Sequence, residues 1–189
     1  MAPDTRDRIV AAARAEFARH GIAGARVDRI AKAARTSKER VYAHFRSKEA
    51  LYEHVASLEL AAAADAIHLD PANLPAYGAQ LYDYFTAHPD QHRFLAWGRL
   101  ELTPATSGPY HEALLNKLDI LRRAQQDGIL DPTWDPMDIM ALVSQIAHTW
   151  LDQTELASLP PHPTPKSHRT AIIRALTTLF PPQSPHPTP

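Results

Sequence analysis

Helical periodicity, broken repeatedly by proline and glycine, constrains the fold of this chain more than any other feature. The first stripe of apolar side chains at helical spacing consists of Ile9, Val10, Ala13 and Phe17. Gly21 follows that stripe as a helix stop signal. We find no convincing alternation of β-branched and polar residues, and no Asn-Gly or Asp-Gly hairpin turn. The sequence therefore predicts an all-α protein.

The same pattern predicts about nine helices, separated by proline and glycine signals such as His88-Pro89, Thr103-Pro104 and Asp127-Gly128. We place the helices near residues 4–20, 27–34, 37–45, 47–68, 73–87, 90–102, 109–127, 136–158 and 166–180. Nine of the 17 prolines lie in the last 30 residues, so residues 181–189 are predicted to form a disordered tail.

Composition excludes several classes of protein. The chain has no cysteine, and so it has no disulfide framework and no thiolate nucleophile. No apolar run approaches the roughly 20 residues that a membrane-spanning helix needs. The N-terminal segment lacks the apolar core of a secretion signal. We therefore expect a cytoplasmic protein without a membrane partner.

The net charge of −1 hides an asymmetry along the chain. Residues 1–50 contain 12 Lys and Arg against 6 Asp and Glu, whereas residues 51–189 contain 8 against 15. A basic N-terminal part suits a polyanion, and an acidic remainder repels one.

The basic stretch at residues 36–52, TSKERVYAHFRSKEALY, has the ends of a short helix. Thr36 followed by Glu39 is a capping-box pattern, and Ser47 is placed to cap the next helix. At about 100° per residue, Val41 and Phe45 point the same way and are predicted to be buried. Polar, basic and small side chains then face outward.

A second short helix precedes this one and has its own apolar face, formed by Val27, Ile30 and Ala31. Val41 is expected to complete the contact between the two helices. Two short helices joined by a tight turn, with the second one presenting an outward polar face, make a helix-turn-helix. That outward face has the size to enter a major groove of DNA.

The stretch AAARAEFARHGIAGARVDRIAKAARTSKERVYAHFRSKEALY resembles the N-terminal DNA-binding domain of TetR-type transcriptional regulators, across about residues 6–52. Its most specific part is Tyr42-x-His44-Phe45-x-Ser47-Lys48-Glu49-x-Leu51. The all-helical remainder matches the family's ligand-binding and dimerisation domain in length and helix count. The resemblance implies a DNA-binding domain at 1–47 and a ligand-binding and dimerisation domain at 48–180, followed by the tail predicted at 181–189.

The DNA-binding residues that we predict are Arg26, Arg35, Thr36, Ser37, Lys38, Arg40, Tyr42, Ala43, His44 and Lys48. For Tyr42, His44 and Lys48, the resemblance implies contacts to the DNA backbone. The hydroxyls of Thr36 and Ser37 are suited to phosphate, and Lys38 and Arg40 have the donors to read guanine. Ala43 is small enough to touch a thymine methyl.

Three positions depart from the family pattern. Arg35 stands where the turn usually has glycine, and Ala25-Arg26 replaces a threonine cap. A residue other than glycine at positive φ costs about 1–2 kcal/mol, so either the turn has another shape or Arg35 offsets the cost through a phosphate contact. Glu39 occupies a position that is often small in the family; it either serves the capping box or accepts from cytosine.

The larger domain carries aromatic side chains with polar tips, which suit a pocket for a small hydrophobic or aromatic molecule. The candidate ligand-binding residues are Tyr77, Tyr84, Phe94, Trp97, His111 and His148. Aromatic stripes are more often core, and this alternative stays open for each of them. His88 and His92 are four residues apart, but Pro89 between them disfavours a metal site, so no metal or cofactor is predicted.

Two long apolar stripes lie in the helices predicted at 136–158 and 166–180. They consist of Ile139, Leu142, Val143, Ile146 and Trp150, and of Ile172, Ile173, Leu176, Leu179 and Phe180. In the resembling family the final two long helices form a four-helix dimer interface. A homodimer is therefore expected, with a roughly palindromic DNA operator.

These observations predict a ligand-responsive transcriptional regulator, and more specifically a repressor released from its operator by a small effector. A sequence-independent DNA-binding protein is the first alternative, and the acidic second part of the chain argues against it. A small all-α enzyme is the other alternative. No Gly-rich phosphate loop, G-x-S-x-G elbow or His-Glu-x-x-His motif supports it.

Overall fold

The computed structural model describes residues 4–102, 109–160 and 164–181, and these ranges are built from helices without a strand. The prediction of an all-α protein is thus confirmed. The helices are α1 (Thr5–Gly24), α2 (Val27–Ala33), α3 (Lys38–His44), α4 (Lys48–Ala66), α5 (Leu74–Ala87), α6 (Pro89–Glu101), α7 (Pro109–Gln126), α8 (Pro136–Asp152), α9 (Thr154–Ala157) and α10 (Pro165–Leu179), with a 3-10 turn at Pro71–Asn73. The Thr103-Pro104 break and the tail after Pro181 lie outside the described residues.

The observed boundaries depart from the predicted ones in two places. A single helix was predicted at 136–158, but α8 ends at Asp152 because Gln153 leaves the helical region, and the short α9 follows. In α1 the helical turns continue beyond Gly21 to Gly24, across a kink at which Gly21 adopts φ 67° and ψ −176°. Gly21 therefore redirects the chain, as a stop signal does, although one more turn follows it.

Two compact units divide the described chain. The first contains the residues up to Ala63 together with the segment from His88 to Glu112, and the second contains the segment Ala64–Ala87 and the residues from Ala113 onward. Helix α6 therefore packs against α1 and belongs to the same unit as α2 and α3, although it is distant from them in sequence. The domain boundary at residues 47 and 48 stays a prediction.

Three aromatic rings form the centre of the first unit. Phe17 from α1 meets Tyr52 edge-on at a centroid distance of 5.4 Å and Phe94 at 6.3 Å. Tyr52 and Phe94 stack at 4.5 Å, and the Tyr52 hydroxyl donates to the Phe94 carbonyl at 3.0 Å. Burial raises the pKa of Tyr52 to about 12. This cluster joins α1, α4 and α6 by apolar contact and one buried hydrogen bond.

The second unit is built mainly from α5, α8 and α10. Its buried side chains include Tyr77, Leu81, Ile139, Val143, Ile172 and Leu176. His168 stacks on Trp150 at 4.0 Å, and its Nδ1 lies 3.3 Å from the Tyr82 hydroxyl. Asp83 and Arg169 form an ion pair at 2.8 Å on the surface.

In the described part of the chain, no helix combines the length and apolarity required to span a bilayer.

Candidate nucleic-acid interface

The turn between α2 and α3 is closed by a helix-terminating pair of hydrogen bonds. Thr36 N–H donates to the Ala31 carbonyl at 3.0 Å, and Arg35 N–H donates to the Lys32 carbonyl at 3.1 Å. This is the Schellman arrangement, which requires a left-handed residue after the helix end. Arg35 takes that conformation at φ 52°, the sole positive φ among described residues other than glycine. The α2–α3 turn therefore has the geometry that glycine usually provides, and Arg35 adopts it at a cost in backbone strain.

Replacing Arg35 with glycine should separate the strain from the charge. We expect the Arg35→Gly variant to be more stable by about 0.5–1 kcal/mol, since the relieved strain exceeds the added entropy of the unfolded chain. We also expect weaker DNA binding, because an exposed guanidinium is lost. Urea denaturation and a DNA titration measure the two effects. Arg35→Asn, which tolerates this conformation without a positive charge, is the matched variant; no gain in stability for either would contradict the strain argument.

The start of α3 is capped by Ser37, whose hydroxyl accepts from the Arg40 N–H at 3.2 Å. The expectation that Thr36 is the cap is therefore wrong. Thr36 belongs to the turn. The extended backbone conformation that a capping residue needs is found one position later, at Ser37. At the next helix, Ser47 accepts from the Ala50 N–H at 3.0 Å, which confirms that cap.

Helix α3 is anchored by one face and exposed on the other. Val41 and Phe45 are 1% and 6% exposed, as predicted, and they pack with the α2 residues Ile30 and Ala31 in one core. Tyr42 is 42% exposed. The other outward side chains of the segment are Ser37, Lys38, Glu39, Arg40, Ala43 and His44. A short helix held by its apolar face thus presents a polar surface to solvent.

The cations around α3 differ in how they are held. Within the described ranges, the side chains of Arg26, Arg35 and Arg40 are exposed and make no intramolecular ion pair. Lys38 lies 3.2 Å from Asp28, an exposed pair of small energetic value. The Lys48 ammonium donates to the Ala23 and Ala25 carbonyls, each at 3.3 Å, which leaves one of its three protons for another acceptor.

One exposed cation of this surface was not among the predicted residues. Arg46 lies between α3 and α4, is exposed and, in the described part of the chain, has no partner. Its place in the basic stretch was visible in the sequence, but periodicity alone does not orient a residue between two helices. Arg6, a further exposed cation, lies over the Phe45 ring at 5.6 Å.

Two family models together match most of the chain. The model for bacterial regulatory proteins of the tetR family covers residues 9–55, and that for the tetracyclin repressor-like C-terminal domain covers residues 73–177. The chain belongs to the TetR family. It is therefore a DNA-binding transcriptional regulator with a helix-turn-helix, and α2 and α3 are the two helices of that motif.

Proteins similar to this TetR-family chain include a named repressor and two proteins of known crystal structure. The HTH-type transcriptional repressor SCO4008 of Streptomyces coelicolor is 36% identical over 149 residues, which cover 76% of this chain and 77% of the repressor. A crystal structure named as that of a transcriptional regulator, SCO4942 of Streptomyces coelicolor, is 55% identical with a TM-score of 0.83, covering 95% of this chain and 99% of the other. TylP, a TetR regulator from Streptomyces fradiae, is 25% identical with a TM-score of 0.63, covering 96% and 87%.

The aromatic residues predicted to bind a ligand in this TetR-family chain lie in both units. Phe94, Trp97 and His111 belong to the first unit, and Tyr77, Tyr84 and His148 belong to the second. Phe94 is 0% exposed in the aromatic centre described above, so its contacts are those of a core residue. Phe94 is therefore a core residue, which is the alternative that the sequence left open for aromatic stripes.

The remaining candidates differ in burial and in hydrogen bonding. In the described residues, the Tyr77 hydroxyl and the Trp97 indole N–H are buried without a hydrogen-bond partner. Lys117 lies over the Tyr77 ring at 5.7 Å. The His148 Nδ1 lies 2.6 Å from the Ser144 carbonyl, and its ring faces Phe85 at 5.2 Å. Tyr84 and His111 are half-buried.

One small cleft is found in the second unit. It is lined by residues from the α7–α8 connection and the end of α10, including Trp134 and Phe180, and has a volume of about 30 Å³. That volume holds about one water molecule and no drug-sized effector. Nowhere in residues 4–102, 109–160 and 164–181 do three His, Asp or Glu side chains gather in a group that would hold a metal ion.

The predicted dimer residues divide by burial into two sets. Ile139, Val143, Ile172, Leu176 and Phe180 are at most 8% exposed within the single chain. Their burial leaves almost no surface for a partner. The half-buried set consists of Leu142, Ile146, Trp150, Ile173 and Leu179. The predicted interface of this TetR-family chain therefore narrows to that second set.

Proposed function

We propose that the protein is a ligand-responsive repressor that binds a palindromic operator as a homodimer and leaves it when a small hydrophobic or aromatic effector binds. The observation that carries the DNA-binding part is the exposed face of α3. This helix is capped by Ser37 and anchored by Val41 and Phe45, and its exposed cation Arg40 makes no ion pair in the described chain. The relative SCO4008 is named a repressor, which supports the sign of regulation.

The exposed side chains of this segment divide into two roles. Lys38 and Arg40 have the reach and donors for guanine O6 and N7, and Ala43 is small enough to contact a thymine methyl. Tyr42, His44 and Lys48 are assigned to the DNA backbone, with the hydroxyls of Thr36 and Ser37. Arg26 and Arg35, both exposed, add positive charge to the same unit. Groove readout and backbone anchoring thus come from one short segment.

Dimerisation is supported by apolar surface on α8 and α10. Leu142, Ile146 and Trp150 on α8 and Ile173 on α10 are only half-buried within the chain. A stripe of large apolar side chains that one chain covers incompletely is typical of an interface. A two-fold axis there would present two copies of α3 to successive major grooves, and so the operator would be a palindrome.

Effector binding is supported by buried polar atoms that lack partners. A buried hydroxyl without a hydrogen bond costs about 1–3 kcal/mol, and the Tyr77 hydroxyl is such a group among the described residues. An effector that supplies the missing acceptor would recover that free energy. Affinity for the operator would fall if the effector favoured a different dimer geometry.

The proposal is tested by selecting duplexes from random DNA with the purified full-length protein and titrating salt against the enriched sequence. We expect an enriched palindrome and an affinity that falls steeply with salt. Equal affinity for enriched and random duplexes would instead indicate a sequence-independent DNA-binding protein. Failure to bind any duplex at low salt would overturn the proposal.

The Arg40→Ala variant tests the readout assigned to α3. We expect it to lose about 1–3 kcal/mol of binding free energy for the enriched duplex and to relax the preference at one base position. Arg19→Ala is the matched control, because Arg19 is also exposed and unpaired in the described part of the first unit. Equal losses in the two variants would mean that Arg40 contributes charge alone.

A further inference from the structure

Charged side chains make several hydrogen bonds to residues 23–26, which are the last two residues of α1 and the two that link it to α2. Lys48 of α4 binds the Ala23 and Ala25 carbonyls, and Arg29 of α2 donates to the Gly24 carbonyl at 2.9 Å. Glu16 of α1 accepts from the Arg26 N–H at 2.9 Å and from the Arg29 guanidinium at 2.7 Å. Residues 23–26 lead directly into α2, so these hydrogen bonds hold the chain at the start of the helix-turn-helix.

Glu101, at the end of α6, makes one further hydrogen bond to this segment. Its Oε2 accepts from the Ala23 N–H at 2.6 Å, just after the kink at Gly21. Ala23 is thus held from both sides, with a carboxylate on its N–H and the Lys48 ammonium on its carbonyl. Glu101 lies far from the helix-turn-helix in sequence, and its side chain is exposed.

We propose that Glu101 is a positioning residue for DNA binding, which acts by fixing Ala23 and through it the Lys48 ammonium. This inference rests on the proposed function, in which Lys48 contacts a phosphate. With two protons given to carbonyls, Lys48 has one proton left, and its direction depends on where those carbonyls lie. Loss of the Glu101 bond frees the Ala23 peptide unit, and the remaining proton no longer points in one direction.

The direction in which DNA affinity changes on replacing Glu101 distinguishes a positioning role from an effect of its negative charge. Removal of a carboxylate from a basic unit favours DNA binding if charge alone matters. Positioning predicts the opposite: the Glu101→Ala variant should bind DNA roughly threefold to tenfold more weakly, the worth of one hydrogen bond. The slope of log affinity against log salt should also fall by about 1, as for the loss of one phosphate contact.

The experiment compares full-length variants on two probes, the enriched duplex and one duplex of fixed random sequence. Glu101→Gln keeps an oxygen that accepts from Ala23 N–H and should bind like the wild type. Glu101→Asp keeps the charge but shortens the reach, and should bind like Glu101→Ala; it also serves if the alanine variant does not fold. Glu53→Ala is the control for charge, because Glu53 is an exposed acid of α4 without a partner in the described chain.

A double-mutant cycle with Lys48→Met makes the test decisive. If Glu101 acts through Lys48, the double variant should show the affinity and salt slope of Lys48→Met alone. Unchanged or tighter binding by Glu101→Ala, an unchanged salt slope, or losses that simply multiply would each overturn the inference. The random duplex keeps the test independent of sequence readout: wild-type binding to it without any enriched palindrome would overturn the specific repressor while the role of Glu101 is still measured.

Discussion

Replacing Phe94 with alanine is expected to lower the free energy of unfolding by about 3–5 kcal/mol, the usual cost of removing a fully buried aromatic ring. Phe94 is 0% exposed, stacks on Tyr52 and meets Phe17 edge-on. Removal of the ring leaves a cavity among three helices and takes away the packing that aligns the α6 carbonyl with the Tyr52 hydroxyl. The expected effect is a loss of stability of the first unit, and this loss does not depend on a bound effector.

Urea denaturation followed by far-UV circular dichroism, at fixed protein concentration, measures this loss. Phe94→Leu is the matched variant, since it keeps most of the apolar volume and should cost clearly less. A loss below about 1 kcal/mol for the alanine variant would contradict the core assignment. It would return Phe94 to the set of candidate ligand contacts.

Replacing Gly21 with alanine is expected to lower the free energy of unfolding by about 2–6 kcal/mol. Gly21 has φ 67° and ψ −176°, a combination that is essentially confined to glycine and costs an L-residue about 1–3 kcal/mol. An added Cβ would also lie 3.0 Å from the Trp97 ring and would overlap the Glu101 carboxylate. Overpacking of this kind adds roughly 1–3 kcal/mol. Both terms act at the kink that leads to the α1–α2 connection, so weaker DNA binding should accompany the loss of stability.

The Gly24→Ala variant is a matched control three residues away. Its φ is not in the left-handed region, and an added Cβ would meet only the His20 Cβ, at 3.6 Å, an ordinary contact. We expect this variant to be as stable as the wild type or slightly more stable. Equal destabilisation of the two variants in thermal and urea denaturation would contradict the argument from φ and close packing.

Local patterns predicted the DNA-binding helices well because short-range physics decides them. The spacing of Val41 and Phe45 identified the buried face of α3, and the Ser47 cap followed from its position before a helix. The cap of α3 was assigned one residue too early. Thr36 and Ser37 both carry hydroxyls, and the left-handed turn at Arg35 determines which of them has the extended backbone of a cap. The DNA contacts themselves stay predictions.

The sequence by itself determined the all-α class, the approximate helix boundaries, the helix-turn-helix and the inward face of α3, because each depends on residues within a few turns of one another. Only the tertiary structure decided what covers each apolar stripe. A periodic pattern shows that a helix has an apolar face, but not which helix packs against it. Phe94, predicted as a ligand contact, lies in the core of the first unit. Five of the ten predicted dimer residues are buried in the core of the second unit. The bond from Glu101 to Ala23 joins positions far apart in the chain, which pack together only once α6 has folded against α1.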